Sequence, residues 1–171
     1  MSFDDRYDSL IKYYCKYHFP EIDWLIVKAQ VWQESRFKTK AISSAGCMGL
    51  MQISRELAKE RLDQPAYVWC ADTNLDLGIK YLKEQYDHFP EIPDHFDKIR
   101  FALASYNGGR GYINAAIRLA RRDKQDFWKW AITSPYLACP DCVCRSKRPD
   151  HLQITNYTSV VLSRYLTYLT N

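Results

Sequence analysis

The sequence has no apolar run approaching the roughly 20 residues that a membrane-spanning helix needs. Its opening, Met1-Ser2-Phe3-Asp4-Asp5-Arg6, lacks the basic start and apolar stretch of an export leader. A soluble domain with no membrane span is expected. Glycine is scarce, at 6 residues, and low-complexity tracts and internal repeats are missing, which excludes fibrous, linker-like and solenoid architectures. No charge sign dominates: 24 Lys and Arg face 20 Asp and Glu, and the net +4 is scattered along the chain. No helix-turn-helix, zinc-finger or RNA-recognition signature accompanies that charge, so nucleic acid is not an expected partner. Period-two alternation is also missing, so no extensive sheet is expected.

What remains is a chain of 171 residues, 47% hydrophobic and 26% charged, which suits one core and one active site. A single domain over residues 1–171 is therefore expected, acting as a monomer. Thirteen Tyr, seven Phe and five Trp exceed what core filling usually demands. Flat rings suit a sugar-binding groove as well as a core, because they combine apolar faces with OH or NH donors. Both uses stay open for each ring.

Helical spacing runs through most of the chain. Helices are predicted over 5–18, stopped at Phe19-Pro20, and over 22–37, which has no internal Gly or Pro. Ser54 is placed to cap a helix reaching Arg61, with Glu56 in its first turn. Over 72–89, Leu75, Ile79, Leu82 and Tyr86 line one helical face, closed by Pro90 and Pro93. Further helices are predicted over 96–106, stopped by Asn107-Gly108-Gly109, then over 112–122, briefly over 126–132, and over 155–169. The fold class is mainly α, with room for a small β hairpin in the Ser- and Gly-rich stretch near residues 39–49.

Glu34 ends the apolar segment Val31-Trp32-Gln33-Glu34-Ser35. Partial desolvation there penalises the charged carboxylate and favours a proton donor near neutral pH. Taken alone it reads more readily as a solvated helix-end Glu or one paired with Arg36. Its context adds more. Glu34-Ser35 is followed, 18 residues after Glu34, by the Gln of Gly49-Leu50-Met51-Gln52, with Ser43 between. Ala104-Ser105-Tyr106-Asn107-Gly108-Gly109 and Asn156-Tyr157 come later.

In these motifs the chain resembles the soluble lytic transglycosylases of the lysozyme superfamily, relatives of the goose-type lysozymes. Asp72, Asn74, Leu75, Gly78, Tyr81 and Leu82 also follow that family's helix pattern, and the resemblance runs from about residue 21 to 168. Two positions depart from it: Ser105 stands where Ala is usual, and Gln153 where many members carry a Glu four residues before the final Tyr.

The resemblance implies a lysozyme-like fold and cleavage of peptidoglycan glycan strands at the bacterial wall. Glu34 would act as lone acid and then base, leaving a 1,6-anhydromuramic end. Ser43, Met51, Gln52, Tyr106, Asn107 and Tyr157 would contact substrate, with Ser35 holding the helix end. The alternatives are a goose-type hydrolase, needing a second acid such as Asp63, Asp72 or Asp76, and a non-catalytic wall-binding domain. No leader being visible, delivery as a phage-type or injected enzyme is expected.

Catalysis of this kind needs no cofactor. Six cysteines stand outside the resemblance, and Cys139-Pro140-Asp141-Cys142-Val143-Cys144 holds one knuckle of zinc-like spacing, with Cys70 or His151 available as a fourth ligand. Structural zinc, disulfides suited to an oxidising compartment, and free thiols all remain open.

Overall fold

The computed structural model describes residues 5–170. Met1–Asp4, read above for a leader, lie outside the described residues. Eight α-helices occur among the described residues: α1 (Asp8–His18), α2 (Trp24–Ser35), α3 (Arg55–Arg61), α4 (Ala71–Asp87), α5 (His95–Gly108), α6 (Arg110–Arg122), α7 (Trp130–Thr133) and α8 (His151–Leu169). Two 3₁₀ turns, Pro65–Trp69 and Ser134–Ala138, join them. The mainly α class expected from the sequence is what the chain adopts. None of the described helices is long and apolar enough to cross a membrane.

The backbone contacts group into two compact units. One runs to Tyr81 and takes up again at Val161, and the other is Leu82–Val160. Both boundaries fall inside helices, α4 and α8.

In the first unit, α2 starts because the Asp23 carboxylate accepts the Leu25 N–H at 3.0 Å; it also accepts the Tyr165 hydroxyl at 3.1 Å. Ile26, Val27, Ala29 and Val31 are buried along the helix. Lys28 is buried too, and its ammonium is held by Asp5 at 2.6 Å and Asp8 at 2.9 Å. Burial pulls its pKa down, but the two carboxylates outweigh this and set it above the ordinary lysine value. The helix stops at Arg36 and Phe37, both left-handed with φ +53° and +59°. Ser54 caps α3 as expected, accepting the Leu57 N–H at 3.1 Å.

The hairpin expected near 39–49 is reduced to isolated antiparallel bridges, Ile42 with Met48 and Met48 with Ile53. Tight turns consume the residues that a longer ladder would need.

The second unit has an aromatic core in which the Phe101 ring centre lies 5.5 Å from Phe89 and 5.2 Å from Trp130, the latter edge-on. Ile113, Ala116 and Leu119 of α6 and Ile154 of α8 close around it. Asp94 caps α5 by accepting the Asp97 N–H at 2.7 Å, and Gly109, at φ +94°, ends it. The Asn107-Gly108-Gly109 brake thus acts two residues later than predicted.

Candidate active site

Glu34 is the penultimate residue of α2 and half-buried. Ser35 beside it is buried and its hydroxyl donates to the Val31 carbonyl at 3.1 Å, so this side chain serves the helix end. Arg36 lies over Trp32, its guanidinium 3.0 Å from the ring centre, and Arg164 makes the same approach at 3.0 Å. One turn before Glu34, Gln30 is fully buried, and neither polar atom of its amide has a hydrogen-bond partner among the described residues.

The loop after α2 is built around one side chain. Asn74, on α4, accepts the Met51 N–H at 2.8 Å and donates to the carbonyls of Met48 at 3.0 Å and Val68 at 2.9 Å. It is 1% exposed, and its bonds to Met51 and Val68 form away from water. Gly49 turns the chain over this amide at φ +80°, and a Cβ there would sit 2.2 Å from Asn74 Nδ2. Only glycine meets both demands. In the sequence Asn74 falls in a helix pattern with no task of its own. A lone amide beside the buried Leu75 was the available signal, because a buried polar group must find partners.

Gln52 is left-handed, φ +51°, and its side-chain amide donates to the carbonyls of Gly49 at 2.9 Å and Ala41 at 3.2 Å. Its donors therefore hold the loop. Ser43 is half-buried and its hydroxyl accepts the Cys47 N–H at 3.0 Å. Met51, expected to line a groove, has no exposed surface. It packs on Gly78, where a Cβ would stand 2.4 Å from its sulfur, so in this structure Met51 fills the core beneath the turn.

In the second unit, Tyr106 and Asn107 occupy the last turn of α5, both half-buried. The Asn107 side-chain oxygen is enclosed without a hydrogen-bond partner among the described residues. Gly108 is needed because a Cβ there would meet Ile154 Cδ1 at 2.3 Å. Ser105, the departure from Ala, is fully buried and its hydroxyl likewise has no partner among the described residues. Tyr157 on α8 is 5% exposed, whereas Gln153 lies exposed in the first turn of the same helix.

All six cysteines carry free thiols. Among the described residues no group of three or more His, Cys, Asp or Glu is arranged to hold a metal ion. Cys139, Cys142 and Cys144 therefore do not fit the zinc reading as they stand.

The family description "Transglycosylase SLT domain" matches residues 11–129. Similar proteins include the membrane-bound lytic murein transglycosylase F of Klebsiella pneumoniae, 34% identical over 65% of this chain and 21% of that protein. The Marinobacter nauticus protein of the same name is 32% identical over 77% of this chain and 26% of its own length. The chain thus spans about a quarter or less of these relatives. Among solved structures, the 70 kDa soluble lytic transglycosylase of Escherichia coli shares the fold, with a TM-score of 0.67 at 22% identity, covering 99% of this chain and 25% of that one. The lytic transglycosylase Slt of Pseudomonas aeruginosa, an inactive mutant, gives 0.68 at 21% identity, covering 97% and 24%. On the match through residues 11–129, this chain belongs to the transglycosylase SLT domain family.

Proposed function

We propose that this domain is a peptidoglycan lytic transglycosylase. It cleaves the β-1,4 bond between N-acetylmuramic acid and N-acetylglucosamine and leaves a 1,6-anhydromuramic end. The observation that carries the reading is the half-buried Glu34 at the end of α2, inside the stretch matched to the family and followed by the Gly49–Gln52 turn pinned by Asn74.

In this reading Glu34 first donates its proton to the glycosidic oxygen, and the bond to the anomeric carbon breaks. The substrate's own acetamido group supports that carbon. The Glu34 carboxylate then takes the proton of the muramic C6 hydroxyl, whose oxygen closes on the anomeric carbon, so no water is consumed. Ser43, Tyr106, Asn107 and Tyr157, and Gln52 through its side-chain oxygen, supply hydrogen bonds to sugar hydroxyls and amides.

A hydrolase would need a second carboxylate to position water. Two of the three candidates are engaged elsewhere: Asp76 takes His18 at 2.5 Å, and Asp72 takes the Tyr14 hydroxyl. This favours the lone acid/base.

In this reading the domain acts at the bacterial wall as a monomer, needs no cofactor for catalysis and is delivered as a phage-type or injected enzyme. Release of soluble fragments from purified peptidoglycan tests the core of it. Glu34→Gln should abolish release while circular dichroism stays that of the parent. Full activity in that variant removes both the transglycosylase and the hydrolase readings, and wall binding without release by the parent leaves only a binding domain.

A further inference from the structure

The cysteines after the Ser134–Ala138 turn belong to no step of that chemistry, yet their geometry is specific. The Cys142 N–H donates to the Cys139 carbonyl at 2.9 Å, closing a four-residue turn with Pro140 and Asp141 at its centre. In such a turn the outer Cα atoms lie within about 7 Å, and a disulfide spans Cα separations of about 4.4–6.8 Å. The backbone already brings this pair within bridging reach.

Their surroundings separate the roles of the three thiols. Cys142 is fully buried and its Sγ points to the Tyr112 carbonyl at 3.6 Å, in the first turn of α6. Cys139 is half-buried and so open to a reagent from solvent. Cys144 is held by a second tight turn, its N–H and carbonyl bonded to Lys147 at 2.9 and 3.0 Å, through Arg145 and Ser146 at φ +51° and +63°. Its sulfur rests where a Cβ on Gly111 would come within 2.3 Å. Two non-glycine residues in left-handed conformation fix it against the start of α6.

We propose that Cys139 and Cys142 are a disulfide-forming site that staples the Cys139–Cys142 turn beneath the start of α6, with Cys144 remaining a thiol. The oxidant is a small-molecule or protein disulfide. The Cys139 thiolate attacks one sulfur of that reagent and expels one thiol, giving a mixed disulfide. Cys142 then attacks the Cys139 sulfur and expels the second thiol. The two protons lost by the protein end on the two released thiols; the protein sulfurs are oxidised and the reagent is reduced. Cys139 has to be the entry point. Burial and the neighbouring Cys139 and Cys144 push the Cys142 thiol up to about 11, making it a poor first nucleophile.

The test uses the whole chain equilibrated with oxidised or reduced glutathione, denatured, alkylated and digested with trypsin and an Asp-specific protease. The expected result after oxidation is a linked pair of peptides, 130–140 and 141–145, with Cys144 alkylated. The link should persist in Cys144→Ser and vanish in Cys142→Ser and in Cys139→Ser. Reduction should lower the parent's Tm by about 5 °C and leave the Tm of Cys139→Ser unchanged. Full alkylation of all three thiols after oxidised glutathione overturns the proposal. So does a link to Cys144, or retained zinc that shields the thiols. Because the readout is thiol state, its failure is independent of wall cleavage.

Discussion

Asn74→Asp exchanges one NH₂ for an oxygen and changes almost nothing in shape. In the parent, Nδ2 donates to two carbonyl oxygens, of Met48 at 3.0 Å and Val68 at 2.9 Å, while Oδ1 accepts the Met51 N–H. An ionised aspartate would face both carbonyls with lone pairs only, at 1% exposure, so the folded chain must protonate it. Keeping an acid of ordinary pKa about 3.9 protonated at pH 7 costs about 4 kcal/mol, at about 1.4 kcal/mol per unit. The single O–H then satisfies one carbonyl and orphans the other, a further loss of about 1–3 kcal/mol.

The pH dependence follows from linkage. The native pKa lies above the unfolded one, so between them the native state holds the extra proton and the variant's stability falls as pH rises. Below about pH 4 both states are protonated, and only the orphaned carbonyl remains as a deficit. Urea unfolding of parent and variant at pH 5 and pH 7 measures this. The deficit should be larger at pH 7, by about 3 kcal/mol. A deficit below about 1 kcal/mol at pH 7, or an equal one at both pH values, refutes the role given to Asn74.

Other perturbations address neighbouring features. Gly49→Ala forces a Cβ into Asn74 Nδ2 at a positive φ, and should lower stability by about 2–4 kcal/mol together with fragment release; a thermal melt matching the parent contradicts the turn geometry. Ser105→Ala removes a fully buried hydroxyl that has no partner among the described residues, and should raise Tm by a few degrees; a lowered Tm would mean the hydroxyl is used. Lys28→Ala leaves Asp5 and Asp8 facing each other without their cation and should cost about 3 kcal/mol at neutral pH. Because the folded-state pKa of Lys28 is raised, that contribution is present below the unfolded lysine pKa and lost as pH rises through the folded one. Parent and variant should therefore differ less in strongly alkaline urea melts than at pH 7, and an unchanged difference counts against the ion cluster.

Much of the fold is legible because its helices carry local signals. Ser54 and Pro90 mark boundaries through chemistry that acts within one turn, and Leu75, Ile79, Leu82 and Tyr86 are all buried as their spacing requires. Glu34 and the Gly49–Gln52 motif are legible as residues in order. What they touch is not. Met51 reads as a groove residue by motif but packs under the turn against Gly78, because side-chain direction depends on the left-handed steps at Gly49 and Gln52. Asn74 escapes for a related reason: its partners lie 6, 23 and 26 residues away and are backbone groups, which carry no sequence signature. The hairpin near 39–49 fails to extend because its residues are used in bends around Asn74 and Gln52, and alternation alone cannot report that.

In the proposed reaction Glu34 acts alone, as acid and then base, without water entering. Mass spectrometry of fragments released from purified peptidoglycan tests it most directly. Lone acid/base chemistry at Glu34 should yield muropeptides one water lighter than their hydrolysed counterparts, resistant to borohydride reduction and missing in the Glu34→Gln digest. Reducing muramic ends from the parent enzyme would contradict it and make the domain a hydrolase.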